Sequence, residues 1–264
     1  PDACRPAVAR AKELVGARRA RGSWWRGVAA AVLAEPVRAA DCVVAGGAEA
    51  GMRLVHPNGQ WQSLVVADLR AGGVWTFREA ATGVRIIYSD PPWNPGNEKW
   101  WRRHAGVEPP PDYAGLLDAW CTAVTHHTIE HVFCEQSVNP RHRQLFLDAV
   151  TRCPSWRLPL LEEWTVYYGS PGSRSCTRPN TLLHFGQRRL RTDPSGLSGE
   201  AMTSCVFEGL IYPTGTIVGD PCMGKGMTSR LAHAAGWCCV GTELNERRLD
   251  YAVRWLTRQG YVMQ

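Results

Sequence analysis

The sequence predicts an α/β protein with a mostly parallel sheet and helices on both faces. Short apolar runs such as VRIIYS and TIVG alternate with longer stretches in which apolar residues recur at helical spacing. This alternation is typical of βαβ units, whose central strands are buried on both faces. The 264 residues suffice for one large core and are too few for two. We therefore expect a single domain over residues 1–264.

The elements follow from the apolar spacing and from the Gly, Pro and Asn residues that separate the runs. Residues 1–40, rich in Ala and Arg, predict a helical N-terminal extension. The predicted strands are Cys42–Ala45, Ser63–Ala67, Val84–Ser89, His131–Glu135, Glu163–Tyr168, Thr181–Phe185, Thr216–Gly219 and Cys238–Glu243. The predicted helices are Tyr113–His126, Pro140–Arg152, Glu200–Leu210, Met227–Ala235 and Asn245–Arg258.

Three segments rich in Gly, Pro, Ser and Arg are predicted to be loops: Asn94–Asp112, Gly169–Asn180 and Gly186–Gly199. The net charge is +6, from 30 Lys+Arg against 24 Asp+Glu, which is compatible with a phosphate-rich partner. A solvated basic surface and a GC-rich genome account for the arginines equally well. The candidate phosphate contacts in these loops are Arg102, Arg103, Arg174, Arg178, Arg188 and Arg189.

Cysteine and histidine placement argues against a structural metal. The ten cysteines include no C-x-x-C pair, and several lie in apolar runs that favour buried free thiols. His131 and Cys134 are three residues apart in a predicted strand, so their side chains point to opposite faces. We therefore expect no metal, and the sequence favours a reducing cytoplasm. No apolar run is long enough to span a membrane.

The first motif is Asp90-Pro91-Pro92-Trp93, directly after the predicted strand VRIIYS. The exocyclic amino nitrogen of a nucleobase is a weak nucleophile because its lone pair is delocalised into the ring. A carboxylate and a backbone carbonyl of a rigid Pro-Pro turn can each accept one N–H and stabilise the developing positive charge. A Trp ring offers an extruded base a stacking surface. The alternative interpretation is a strand-ending turn with a buried Trp.

The second motif is the glycine-rich turn VGDPCMGKGMT, between a predicted strand and a predicted helix. Glycines let the backbone approach a ligand closely, and the start of the helix offers free N–H groups to a carboxylate. About twenty residues further on, the strand WCCVGTEL ends in Glu243, where an acidic residue can accept bonds from ribose hydroxyls. This spacing predicts a nucleoside cofactor without choosing between NAD and S-adenosylmethionine.

Together the two motifs resemble a known family. The segment GDPCMGKGMTSRLAHAAGWCCVGTELNERRLDYAVRWL is similar to the cofactor segment D-P-F-x-G-S-G-T-T … G-x-E-x-N … Y-x-x-x-A of amino-group DNA methyltransferases. SDPPW is similar to their catalytic D/S-P-P-Y/F/W motif, and the catalytic motif comes first, as in the β class. The resemblance spans residues 84–256. It implies the Rossmann-like, seven-stranded methyltransferase fold in circular order, S-adenosylmethionine as donor, and base flipping.

Carried over position by position, the resemblance implies a role for each motif residue. Asp90 positions the target amino group within the catalytic set Asp90, Pro91, Pro92 and Trp93. The segment Arg178-Pro179-Asn180 takes the place of a polar segment near the target pocket. The implied cofactor-binding residues are Asp220, Pro221, Cys222, Gly224, Lys225, Gly226, Thr228, Glu243 and Asn245.

The chain departs from the family pattern at two positions. Cys222 replaces the usual Phe, which we expect to be a packing change. Lys225 replaces a small Ser between the glycines and places a cation beside the expected cofactor. It extends to solvent, meets the cofactor carboxylate, or selects a donor with extra negative charge, such as carboxylated S-adenosylmethionine.

Several alternatives remain open at this point. Asp in the first position of the catalytic motif favours adenine N6 over cytosine N4. An RNA adenine methyltransferase and a catalytically inactive DNA-binding subunit are the rival functions, although the chain keeps both the Asp and the glycines. The resemblance implies double-stranded DNA as partner, with a homodimer as a further candidate assembly. It also implies a bacterial or phage-encoded cytoplasmic protein, as in restriction-modification systems.

Overall fold

The computed structural model describes residues 51–71, 77, 82–107, 112–125, 128–168 and 178–264. The predicted helical extension over residues 1–40, the predicted strand Cys42–Ala45 and Arg174 lie outside this part of the chain.

Nine strands of the described residues form one sheet in the order β5-β6-β4-β3-β7-β8-β2-β1-β9. The strands are β1 (Gly51–Val55), β2 (Trp61–Val66), β3 (Val84–Ser89), β4 (His131–Ser137), β5 (Leu160–Tyr168), β6 (Arg178–Gly186), β7 (Ile217–Asp220), β8 (Cys238–Glu243) and β9 (Val262–Met263). The predicted bounds of β3 and β8 are confirmed to the residue.

The parallel part of the sheet is its centre. β4, β3, β7, β8 and β2 pair in parallel, whereas β6 joins β4, and β1 joins β2, in antiparallel fashion. The predicted number of seven strands is wrong, because β1 and β9 extend the sheet beyond β2. β9 has two exposed residues and pairs only at an edge, so it carries no apolar pattern that a sequence reading could detect.

The described residues contain six α-helices. They are α1 (Pro95–His104), α2 (Tyr113–Ala123), α3 (Pro140–Arg152), α4 (Gly199–Gly209), α5 (Met227–Ala235) and α6 (Glu246–Arg258). The prediction of an all-loop segment Asn94–Asp112 is wrong, because α1 lies within it. The Asn94 side chain accepts a bond from the Asn97 N–H, and Pro95 occupies the first turn, so the start signal of a helix was present.

The residues of β3 alternate between two apolar cores, one on each face of the sheet. Ile86 and Tyr88 pack in the core that contains residues of α4, α5 and α6. Val84 and Ile87 pack in the core that contains residues of α2 and α3, including the fully buried Trp120. The prediction of helices on both faces is therefore confirmed.

Parallel pairing brings the carboxyl ends of β3, β4, β7 and β8 to one edge of the sheet. Four acidic residues stand near these ends: Asp90 directly after β3, Asp220 and Glu243 at the ends of β7 and β8, and Glu135 two residues before the end of β4. In open α/β sheets this edge is where ligands bind.

Candidate active site

A cleft of about 1310 Å³ opens at the carboxyl edge of the sheet. Both sequence motifs border it, although they lie more than a hundred residues apart in the chain. The predicted site residues that line it are Asp90, Pro91, Pro92, Trp93, Asp220, Pro221, Cys222, Gly224, Lys225, Thr228 and Glu243. The two motifs come together because the parallel strands that precede them end at the same edge of the sheet.

Asp90 is half-buried at the end of β3. Its Oδ1 accepts a hydrogen bond from the indole N–H of Trp93 over 2.7 Å, and no partner among the described residues occupies Oδ2. Burial raises the pKa of Asp90 to about 6, while the Trp93 bond and the charge of Arg248 act in the opposite direction. Near neutral pH Asp90 is therefore an ionised acceptor with one oxygen left for a ligand.

The Pro-Pro turn beside Asp90 is held from the next helix. The hydroxyl of Tyr113, the first residue of α2, donates to the Pro92 carbonyl over 2.7 Å. This bond fixes the orientation of the Pro92 carbonyl. Trp93 meets Tyr168 edge-to-face with 4.7 Å between ring centroids, and both rings border the cleft.

Asp220 ties the two ends of the glycine-rich turn together. Its Oδ1 accepts from the Cys222 N–H over 3.0 Å, and its Oδ2 accepts from the Thr228 hydroxyl over 2.6 Å. Burial raises the pKa of Asp220 to about 7, against the effect of these two bonds. From β8, the Thr242 hydroxyl donates to the Pro221 carbonyl over 2.7 Å. The turn is therefore preorganised by its own side chains.

The two glycines of the turn have different roles. Gly224 (φ +57°) and Gly226 (φ +77°) both adopt left-handed backbone conformations. A Cβ on Gly226 would lie 2.4 Å from the Cβ of Ala252, so this glycine lets α5 pack against α6. Gly224 lines the cleft, whereas Gly226 does not. The expected ligand contact is thus favoured for Gly224 and not for Gly226, which shapes the turn.

Glu243, at the end of β8, braces the same turn from the other side. Its Oε2 accepts from the Gly224 N–H over 2.7 Å and its Oε1 from the Asn245 N–H over 2.9 Å. Burial raises the pKa of Glu243, opposed first by the charge of Arg248. Each carboxylate oxygen can accept a second bond, so Glu243 retains capacity for a ligand hydroxyl.

Lys225 lines the cleft, whereas Asn245 does not. The Lys225 side chain is exposed, and its ammonium lies 4.9 Å from the centre of the Tyr251 ring. Asn245 caps α6 and donates to the His104 carbonyl over 3.0 Å. This bond bridges α1 and α6, and the cofactor contact of Asn245 stays a prediction.

Arg102 and Arg103, both predicted to contact phosphate, have different surroundings in the structure. Arg102 borders the cleft, but it is buried and forms an ion pair with Asp68 over 2.7 Å. This contradicts its expected role as a phosphate contact, because its charge is already matched inside the protein. Arg103, the next residue of α1, is exposed and does not line the cleft.

The other predicted phosphate contacts fall at opposite ends of β6. Arg178 begins β6, is exposed and lines the cleft. Arg188 and Arg189 follow the end of β6, at the amino edge of the sheet, because β6 runs antiparallel to β4. Arg188 and Arg189 therefore lie at the edge opposite the cleft, and the guanidinium carbon of Arg188 is 5.1 Å from the centre of the Tyr212 ring.

Glu135, Tyr168 and Arg248 are among the residues that border the cleft and were missed by the sequence reading. Glu135 stands within β4 and Tyr168 ends β5, so their position at the ends of predicted strands was the available signal. Arg248 lies in the first turn of α6 with its guanidinium carbon 3.8 Å from the centre of the Trp101 ring. No sequence pattern marked it.

Two of the histidines, His131 and His184, form a buried pair. The Nδ1 of His131 and the Nε2 of His184 are 2.9 Å apart, and both side chains are buried. Within the described ranges, no three His, Cys, Asp or Glu side chains converge as metal ligands. The seven cysteines that the structure describes are free thiols. No helix in this part of the chain is long and apolar enough to cross a membrane.

Comparison with known proteins finds similarity in structure and not in sequence. No protein-family model and no curated protein matches the chain. The crystal structure of M1.HpyAVI superposes with a TM-score of 0.51 at 14% identity, over 74% of this chain and 98% of that one. The M1.HpyAVI–SAM complex gives 0.50 at 13%, over 75% and 99%. PvuII DNA methyltransferase (cytosine-N4-specific) gives 0.48 at 12%, over 74% and 86%. The first two matches show that the chain has the fold of M1.HpyAVI.

Proposed function

We propose that this protein transfers the methyl group of S-adenosylmethionine to the exocyclic amino group of a base in DNA. The observation that carries the proposal is the shared cleft, in which Asp90 and the glycine-rich turn with Glu243 border the same space. M1.HpyAVI, whose fold the chain shares, is known as a complex with SAM. The resemblance of both motifs to amino-group DNA methyltransferases points to the same chemistry.

The turn and the strand beside it fit the proposed cofactor. Gly224 brings backbone to the cleft without a side chain, and Glu243 offers acceptors for ribose hydroxyls. The first turn of α5 carries no side-chain cap, so its N–H groups suit a carboxylate. S-adenosylmethionine supplies an electrophilic methyl group on a sulfonium.

Asp90 provides the positioning of the amino group. Its Oδ2 accepts one N–H and a backbone carbonyl of the Pro-Pro turn the other, so that the nitrogen lone pair is turned towards the methyl donor. The carboxylate stabilises the positive charge that develops on nitrogen. A group with a pKa of about 6 can also hold the released proton briefly near neutral pH. Trp93 and Tyr168 form the aromatic wall of the base pocket.

The proposed target is adenine N6 in double-stranded DNA. Asp in the first position of the catalytic motif supports adenine over cytosine N4, and the glycine-rich loop resembles that of DNA enzymes more than RNA enzymes. The Lys225 ammonium over the exposed Tyr251 ring supports ordinary S-adenosylmethionine over a carboxylated donor, because this cation already has an aromatic partner.

The test is a nucleoside mass-spectrometry digest after incubation of the purified protein with S-adenosylmethionine and either DNA or RNA. We expect N6-methyladenine in DNA. N4-methylcytosine would correct the base, and modification of RNA alone would overturn DNA as substrate. If protein purified from cells adds a carboxymethyl group to the base, the donor is carboxylated S-adenosylmethionine. Cofactor binding by calorimetry without any transfer would identify an inactive subunit.

A further inference from the structure

Glu135 lies beside Asp90 on the neighbouring strand. Ser89 of β3 pairs in parallel with Cys134 of β4, so the next residues, Asp90 and Glu135, occupy adjacent register positions. Adjacent parallel strands are about 4.8 Å apart, and residues in register point to the same face. Glu135 is only 4% exposed, yet it borders the same cleft as Asp90. The fold therefore sets two carboxyl groups side by side at the floor of the base pocket.

The contacts of Glu135 leave part of its hydrogen-bonding capacity unused. The Tyr88 hydroxyl donates to Oε1 over 2.8 Å, while the Asn180 amide reaches Oε2 only over 3.4 Å. The Oδ1 of Asn180 is buried and has no partner among the described residues. No ion pair found in this part of the chain joins Glu135 to a cation. A buried carboxyl that served packing alone would be expected to have such a partner.

The neighbours of Glu135 favour its acid form. Burial, followed by the charge of Asp90, raises the pKa of Glu135 well above its ordinary value, and Asp220 acts in the same direction. Tyr88 and Asn180 oppose this through their bonds. The pKa of Asp90 rises only to about 6. Since two adjacent carboxyl groups resist double ionisation, a single proton shared by the pair is held preferentially by Glu135, which is more deeply buried.

We propose that Glu135 is a second substrate-contacting residue, which donates a hydrogen bond to the ring nitrogen next to the target amino group. This inference rests on the proposed function. In both adenine and cytosine, the carbon that bears the amino group also bears an unprotonated ring nitrogen. Asp90 accepts from the amino group while Glu135 donates to that nitrogen, so the acid–carboxylate pair matches the donor–acceptor edge of the base. The pair selects the edge and fixes the plane of the base.

The test is a cycle between a protein variant and a base analogue, in the sequence that the wild-type protein modifies. The target adenine is replaced by 1-deazaadenine, or a target cytosine by 3-deazacytosine, opposite an abasic site so that pairing energies do not differ. We expect the analogue to lower the kcat/KM of the wild-type protein at least tenfold and that of Glu135→Leu less than threefold. An equal loss in both proteins would overturn the inference.

The conservative variant Glu135→Gln separates hydrogen bonding from packing. Its amide keeps an N–H donor, so the kcat/KM of Glu135→Gln should be at least tenfold higher than that of Glu135→Leu. It should also remove the alkaline fall in activity that deprotonation of Glu135 causes in the wild-type protein. Unchanged S-adenosylmethionine affinity shows that each variant is folded. If Glu135→Leu does not fold, the pH profile of Glu135→Gln alone tests the role of Glu135. An alkaline limb that persists in Glu135→Gln counts against the inference.

The outcomes distinguish this inference from the proposed function. If the wild-type protein transfers no methyl group to any base, the proposed function fails and the inference fails with it. If transfer occurs and the analogue costs the same in every variant, only the role of Glu135 fails.

Discussion

The ionisable groups at the two edges of the sheet have different kinds of partners. At the amino edge, His131 contacts His184, and His184 contacts Glu162 over 3.1 Å. Glu130 binds both Arg85 and Tyr212 there. At the carboxyl edge, the acidic groups face a cleft, and burial raises the pKa of Asp90 to about 6 and that of Asp220 to about 7.

The difference lies in the partners and not in the burial. At the amino edge, His131, His184, Glu162, Glu130 and Tyr212 bond to one another or to neighbouring side chains, although the buried Nε2 of His131 has no partner among the described residues. At the carboxyl edge, Oδ2 of Asp90 has no partner among the described residues, and Oε2 of Glu135 has only a long bond of 3.4 Å from Asn180, so a ligand could add hydrogen bonds there. Unmatched acids beside a cleft are a mark of function. The following predictions test this contrast.

The largest effect is expected from Asp90→Ala. Loss of the carboxylate that positions the amino group should raise the activation free energy of methyl transfer by ~2–4 kcal/mol. The affinity for S-adenosylmethionine should change by no more than a few-fold. Wild-type transfer should also fall as the pH drops through about 6, because protonated Asp90 cannot accept the amino N–H. Single-turnover kinetics across pH measures both. The matched variant Glu162→Gln at the amino edge should leave transfer unchanged, and activity of Asp90→Ala above about a tenth of wild type would refute the role.

Glu243→Ala should weaken S-adenosylmethionine binding by roughly tenfold or more, since a charge-assisted hydrogen bond contributes ~1.5–3 kcal/mol. Calorimetry measures the dissociation constant. Because Glu243 also braces Gly224, the control is Thr242→Val, which removes a different brace of the same turn. If both variants lose affinity equally, Glu243 acts through the turn and not on the ribose.

Trp93→Ala should weaken productive base binding by ~1–3 kcal/mol, the contribution of one stacked base. The ring and its N–H can be separated with Trp93→Phe, which keeps an aromatic face and removes the bond to Asp90. We expect kcat/KM to fall strongly in the first variant and slightly in the second. An unchanged kcat/KM in Trp93→Ala would show that the ring serves packing alone.

The amino edge should limit stability in acid. His131 titrates near 6.5 in the unfolded chain, whereas burial lowers its pKa to about 4 in the folded protein. The folded state thus binds fewer protons between these values, and its stability falls as the pH falls from about 6.5 towards 4. Urea unfolding of the wild-type protein should show a loss on the order of 1–2 kcal/mol between pH 7 and pH 5. His131→Phe should reduce this pH dependence, and an identical slope would assign it to other groups.

The smallest effect is expected for DNA affinity. Arg178→Ala at the cleft should reduce the slope of log affinity against log salt by about 0.9 if Arg178 neutralises one phosphate. Arg189→Ala provides the control, since this side chain is 76% exposed but lies at the amino edge. Fluorescence anisotropy across a salt series measures both. A change in the control alone would place DNA on the opposite side of the protein.

Local patterns were enough to predict many of the elements. β3, β8, α3 and α5 begin and end where the apolar runs and turn residues predict. The antiparallel β6 and the short edge strand β9 were not predictable in their pairing, because sheet edges depend on contacts between distant segments. The helix α1 was missed because its many polar and aromatic residues hid the capping signal of Asn94 and Pro95.

By itself the sequence located residues that border the cleft: Asp90 after one strand, the glycine-rich turn after another, and Glu243 at the end of a third. Local chemistry suffices for these, since a strand end, a turn and a helix start are set by neighbours in the chain. Only the tertiary structure decided that Glu135 stands beside Asp90, that Arg102 pairs with Asp68, and that Arg188 and Arg189 lie at the other edge. Strand register and direction fix these placements, and both arise from long-range pairing that no single segment encodes.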